Sequence, residues 1–132
     1  MIHNVVDFRA VRARDVMLPL KKTITVRPNA PVPEILDLSR RSGIDRFPVL
    51  TRDGKLHGLV NALDLLLSAE RSGTLGQHTR RMVTVTEDEP AYQVIRRLRA
   101  ARLGLAGVLD RHRKLSGVVT IEDLVRRLVQ SS

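Results

Sequence analysis

Two short motifs of this chain place a carboxylate three residues after a side chain that can cap a helix. Thr120 and Asp123 open an apolar run near the end of the chain, and Asn61 and Asp64 stand in the same relation near its middle. Thr-x-x-Asp is typical of a helix N-terminus, where the hydroxyl satisfies a backbone N–H and the acid suits the helix dipole. The same groups can accept hydrogen bonds from ribose hydroxyls, while the free N–H groups of the helix start face phosphate. The motif alone is compatible with both roles.

The two motifs belong to an internal repeat. Gly58 and Gly117 are 59 residues apart, as are Asp64 and Asp123, and residues 55–65 and 114–124 share six of eleven positions. A unit of this size is small for a stable core of its own. We therefore expect two copies packed around a pseudo-twofold axis, with a cleft between them as the usual place for a ligand.

Each copy is predicted to be an α+β (α/β) unit in the order strand, helix, strand, strand, helix. In the first copy, strands are expected at 23–26, 47–51 and 56–60, a helix from Pro31 to a closing Gly43, and a helix capped by Asn61 that runs to about Ala69. The second copy repeats this order at 82–85, 90–101, 106–109, 115–119 and 121–129. The Asp53-Gly54 pair is the expected hairpin turn of the first copy.

Composition narrows the classes of partner. The 132 residues carry 23 Lys and Arg against 14 Asp and Glu, a net charge of +9, which favours polyanions such as nucleotide phosphates, phospholipid headgroups or nucleic acid. A solvated arginine-rich surface explains the same excess. Aromatic residues make up only 2%, which argues against a nucleic-acid partner bound by base stacking. The absence of cysteine excludes disulfides, thiolate metal sites and cysteine nucleophiles.

The repeat unit resembles the cystathionine β-synthase (CBS) domain, and the pair resembles a Bateman module. Residues 58–64 and 117–123 match the family's pattern of Gly, two apolar residues, Ser or Thr, two residues and Asp, and residues 44–49 match the preceding strand. Residues 14–19, 46–49 and 119–124 further resemble the cytoplasmic modules of the CorC/hemolysin C and cyclin M transporter families. This implies an N-terminal arm or linker from a membrane domain at 1–13, CBS unit 1 at 14–70, a linker at 71–77 and CBS unit 2 at 78–132.

The resemblance implies one good adenine-nucleotide site. Asp123 would hold the ribose hydroxyls and Thr120 the ribose or the α-phosphate, with the remaining residues around base and phosphates: Leu18, Ile44, Arg46, Phe47, Pro48 and Glu122. Core packing is an equal alternative for the apolar members, and helix-dipole stabilisation is one for Glu122. The ligand is expected to be ATP or AMP, with magnesium only as a companion of the nucleotide, because basic residues replace the relatives' acidic segments at 110–113 and 126–128.

A second, weaker site is implied around Asn61, Asp64 and Thr84. Asn61 stands where the family has Ser or Thr, and residues 105–107 replace the Arg46-Phe47-Pro48 segment of the first site. We therefore expect the second site to be degenerate or empty.

The chain shows no glycine-rich phosphate loop, zinc motif or nucleophile elbow, so we expect a non-enzyme without catalytic residues or a metal site. The favoured hypothesis is a homodimeric regulatory sensor that binds ATP or AMP and changes shape. It would control an attached or associated divalent-cation membrane transporter of the Mg/Co type, from the cytoplasmic side of an inner membrane. The alternatives are a nucleotide-free dimerisation and assembly module and a basic nucleic-acid-binding domain.

Overall fold

The computed structural model describes residues 10–68 and 73–131, so the first part of the predicted N-terminal arm lies outside the described residues. The chain divides into two compact units at Thr23/Ile24 and Met82/Val83. The first-repeat unit comprises residues 24–82. The second-repeat unit comprises the described residues before Ile24 together with those from Val83 onward.

The elements follow the predicted order in a mixed α and β fold. In chain order they are α1 (Ala13–Val16), β1 (Leu18–Pro19), α2 (Val32–Ser42), β2 (Arg46–Leu50), β3 (Leu56–Asn61), α3 (Ala62–Leu67), β4 (Val83–Thr86), α4 (Ala91–Ala101), β5 (Leu105–Leu109), β6 (Leu115–Thr120) and α5 (Ile121–Ser131). Short 3-10 turns at Leu20–Lys22 and Leu75–His78 precede the two repeats' first strand positions.

The first-repeat unit is an antiparallel β2–β3 hairpin covered by helices. The hairpin pairs Arg46 with Asn61, and its turn places Gly54 at a φ of 85°. Helix α2 ends at Gly43, as predicted, in the left-handed conformation that glycine adopts without strain. The predicted strand at 23–26 is reduced to a single bridge between Val26 and Val49, because a turn begins directly after it at residues 28–29.

The core of this unit is aliphatic apart from one phenylalanine. Eight buried residues form it: Val26, Val32, Ile35, Phe47, Val49, Val60, Leu65 and Leu75. Leu75 comes from the segment 73–82, which precedes the second repeat in the chain yet packs with the first. The segment therefore helps to build the first-repeat unit.

The second-repeat unit has a four-stranded sheet in the order β1-β6-β5-β4. Strands β4 and β5 are parallel and the other neighbours are antiparallel. The segment before the first repeat contributes β1 as well as the buried Val11 and Ala13. Each unit thus combines one repeat with the chain segment that precedes the other repeat.

The repeated glycine has a steric reason in both units. A Cβ added to Gly58 would lie 2.5 Å from the carbonyl oxygen of Arg80, and one added to Gly117 would lie 2.5 Å from that of Leu18. Only glycine lets these backbones approach so closely. Among the described residues, no helix is both long and apolar enough to cross a bilayer.

Candidate functional site

Both motifs form real helix starts. The hydroxyl of Thr120 accepts a hydrogen bond from the backbone N–H of Asp123 at 3.1 Å, at the beginning of α5. The side chain of Asn61 accepts one from the N–H of Leu63 at 2.9 Å, at the beginning of α3. The capping interpretation is therefore confirmed for both residues, and it leaves the following carboxylates available for other contacts.

The carboxylate of Asp123 is accessible at the start of α5. It is 46% exposed, and its ion pair is with Arg126 of the same helix at 3.1 Å. Glu122 is exposed beside it. Leu18 is opposite Val118 on the neighbouring strand, two residues before the cap, with 44% of its surface exposed. The second-repeat unit thus brings together four of the predicted site residues, including Thr120.

The other four predicted residues lie in the first-repeat unit, around the start of β2. Ile44 is 38% exposed, and Arg46 is half-buried with a long contact of 3.7 Å to Asp45. Phe47 is completely buried in the core, and Pro48 is buried as well. The structure gives Phe47 the core-packing role, because its ring has no exposed surface to offer a base.

The second motif differs in what its carboxylate contacts. Asp64 forms an ion pair with Arg80 at 3.0 Å and is 31% exposed. The pair borders a cavity of about 260 Å³ whose other walls are Leu67, Ser68, Gln77 and His78. The Nε2 atom of His78 is buried and has no hydrogen-bond partner within the described part of the chain, whereas the sequence predicts a surface histidine.

Thr84 is placed apart from Asn61 and Asp64, on β4 of the second-repeat unit. It is half-buried, and its carbonyl oxygen accepts a hydrogen bond from Arg97 at 3.0 Å. The residue that sequence reasoning missed near Asp64 is Arg80. It pairs with Leu59 as Leu18 pairs with Val118, but Arg80 and Leu18 are 62 residues apart, so the offset of 59 does not match them.

The β5–β6 turn carries a concentrated positive charge. Residues 111–114 are exposed and basic or histidine. The backbone N–H groups of Lys114 and His112 donate to the Asp110 carboxylate at 3.0 and 2.8 Å and hold the pKa of Asp110 below its ordinary value. Within residues 10–68 and 73–131, no three His, Asp or Glu side chains converge as a metal site would require.

The repeated unit, its sterically required glycine and its capped helix start define a tandem pair of small α+β modules. The chain belongs to the CBS domain family, whose model matches residues 13–70 and 75–130. The predicted membership and fold class are thereby confirmed.

The curated relatives are transport proteins. The chain is 32% identical over 133 residues to the magnesium and cobalt efflux protein CorC of Escherichia coli K12, with 98% of the chain and 46% of CorC covered. It therefore spans about half the length of the curated relatives it matches.

The solved structures agree with this relationship. The CBS domain of the bacterial CNNM/CorC family Mg²⁺ transporter in complex with ATP has a TM-score of 0.86 and 25% identity, covering 95% of this chain and 92% of that one. The CBS domain of a putative transporter from Clostridium difficile 630 has a TM-score of 0.82 and 26% identity, covering 95% and 98%.

Proposed function

We propose that this chain is a regulatory, non-catalytic module that binds an adenine nucleotide, ATP or AMP. It would control a divalent-cation transporter of the Mg/Co type, attached or associated, from the cytoplasmic side of the membrane. The observation that carries the proposal is the capped start of α5, where Thr120 and an accessible Asp123 stand together. Its support from relatives is the ATP complex of the similar CBS domain.

The start of α5 suits a ribose and its first phosphate. The Asp123 carboxylate can accept hydrogen bonds from both ribose hydroxyls, which are stronger than neutral ones because the acceptor is charged. Helix α5 has 11 residues, and its free N–H groups favour an anion. The Arg126 pair is no obstacle, because an exposed pair on one helix contributes only about 0.3–0.5 kcal/mol.

The base and the outer phosphates would use residues from both units. Ile44 and Leu18 are the exposed apolar groups of the set and would contact the adenine, while Pro48 and Phe47 support the strand from within the core. Arg46 would neutralise phosphate. The net charge of +9 raises the encounter rate with a polyphosphate, and magnesium would arrive with the nucleotide beside Glu122.

Dimerisation would use the exposed apolar residues of two helices. On α3, Leu63 is 55% and Leu67 75% exposed, and on α5 Val125 is 44% exposed. Burying such residues against a second copy contributes about 25 cal/mol per Å² of apolar surface. A nucleotide would change the shape of this homodimer only by its difference in affinity for two arrangements.

Calorimetric titration with ATP, ADP and AMP, with and without magnesium, tests the proposal. We expect saturable binding of at least one nucleotide, weakened about tenfold or more in Asp123→Asn because charged hydrogen bonds are lost. Glu34→Gln removes an exposed carboxylate elsewhere and should bind like the wild type.

Absence of binding at millimolar nucleotide would contradict the sensor and favour the assembly module. Binding of DNA or RNA that falls steeply with salt and resists nucleotide competition would favour the nucleic-acid alternative.

A further inference from the structure

Arg80 and Leu18 occupy the same structural position in the two units. The N–H and C=O groups of Arg80 both bond to Leu59 at 2.8 Å, and Leu18 is in register with Val118, 59 residues after Leu59. Each also presents its carbonyl oxygen to the repeated glycine at the same 2.5 Å from a hypothetical Cβ. The equivalence is therefore fixed by backbone contacts that sequence alignment at the repeat offset does not find.

The two side chains treat the repeated carboxylate differently. Arg80 reaches Asp64 with an N–O distance of 3.0 Å, so a guanidinium anchored on the neighbouring backbone uses this acceptor. Leu18 has no charge with which to pair, and Asp123 is contacted instead by Arg126 from its own helix. Asp64 is also less exposed than Asp123, at 31% against 46%.

We infer that Arg80 is the specificity-determining residue that makes nucleotide binding one-sided. This inference rests on the proposed function. Its guanidinium satisfies Asp64 and extends into the position from which Leu18 would face a nucleotide in the other site. A ribose at Asp64 must therefore break the Arg80 pair and displace a bulky cation, whereas a ribose at Asp123 meets an apolar neighbour.

Exchanging the two side chain types tests this directly. Leu18→Arg should reproduce the Arg80 pair at Asp123 and weaken ATP binding about tenfold to a hundredfold, the effect of losing charged hydrogen bonds. Gln93→Arg adds the same charge at an exposed position of α4 and should leave ATP binding as in the wild type. Circular dichroism confirms that each variant is folded.

The reverse exchange should open the second position. Calorimetry of Arg80→Leu should show a second ATP per chain, and this second event should disappear when Asp64→Ala is added. Arg81→Leu removes a neighbouring exposed arginine and should keep the stoichiometry at one.

Wild-type affinity in Leu18→Arg, or one ATP per chain in Arg80→Leu, would overturn the inference while leaving the proposed function intact. No ATP binding by the wild-type chain would overturn the proposed function, and the one-sided binding with it.

Discussion

The first-repeat and second-repeat units build the same helix start on the same glycine-supported strand, yet they leave its carboxylate in different states. Asp123 contacts only its own helix neighbour, while Asp64 is paired with Arg80 from an adjoining segment. The glycine and the cap are structural requirements that both copies have kept. The difference is confined to a residue outside the repeated motif, which shows how one duplicated framework can carry unequal sites.

The largest expected effect concerns Phe47, whose counterpart at the repeat offset is Ala106. Because Phe47 is completely buried, Phe47→Ala should lower the free energy of unfolding by about 3–5 kcal/mol through lost burial and a cavity. Tyr92→Ala, at a 36% exposed position, should cost much less. Denaturant unfolding measures both, and a similar small loss in each would show that Phe47 is not a core residue.

The repeated glycines should be equally intolerant of a side chain. Gly117→Ala and Gly58→Ala each press a methyl group against a backbone carbonyl, so we expect a loss of about 1–3 kcal/mol from each. Gly76→Ala enters open space and is the matched control. Thermal unfolding measures the three, and a harmless Gly117→Ala would contradict the close approach of Leu18.

The caps should contribute alike despite their different side chains. Thr120→Ala and Asn61→Ala should each cost about 1 kcal/mol, because each leaves a helix N–H without its acceptor. Thr120→Ser keeps the hydroxyl and should restore most of the stability. If Thr120→Ser were as unstable as Thr120→Ala, the hydroxyl would not be the stabilising group.

The smallest expected effect is a gain. Arg102 and Arg113 have φ values of 57° and 65° where the first repeat has Gly43 and Gly54. Arg102→Gly and Arg113→Gly should each stabilise the chain by about 0.5–1 kcal/mol, because relief of left-handed strain outweighs the extra freedom of glycine when unfolded. Unfolding midpoints measure this, and a loss of stability would contradict it.

The sequence was sufficient for the elements that local chemistry determines. Gly43 ends its helix and Asn61 caps the next, because each role depends on the residue's own backbone or side chain. The burial of Phe47 was not decided, because residues 47–50 are buried on both faces and show no alternation to orient them. Arg80 was missed because the segments preceding the two repeats differ in spacing from the repeats themselves.

The most direct test of unequal sites is the ATP affinity of Asp123→Ala and Asp64→Ala, measured side by side by calorimetry. We predict a loss of about tenfold to a hundredfold for Asp123→Ala and an affinity within about twofold of the wild type for Asp64→Ala. Equal losses in the two variants would contradict the division of roles between the repeats.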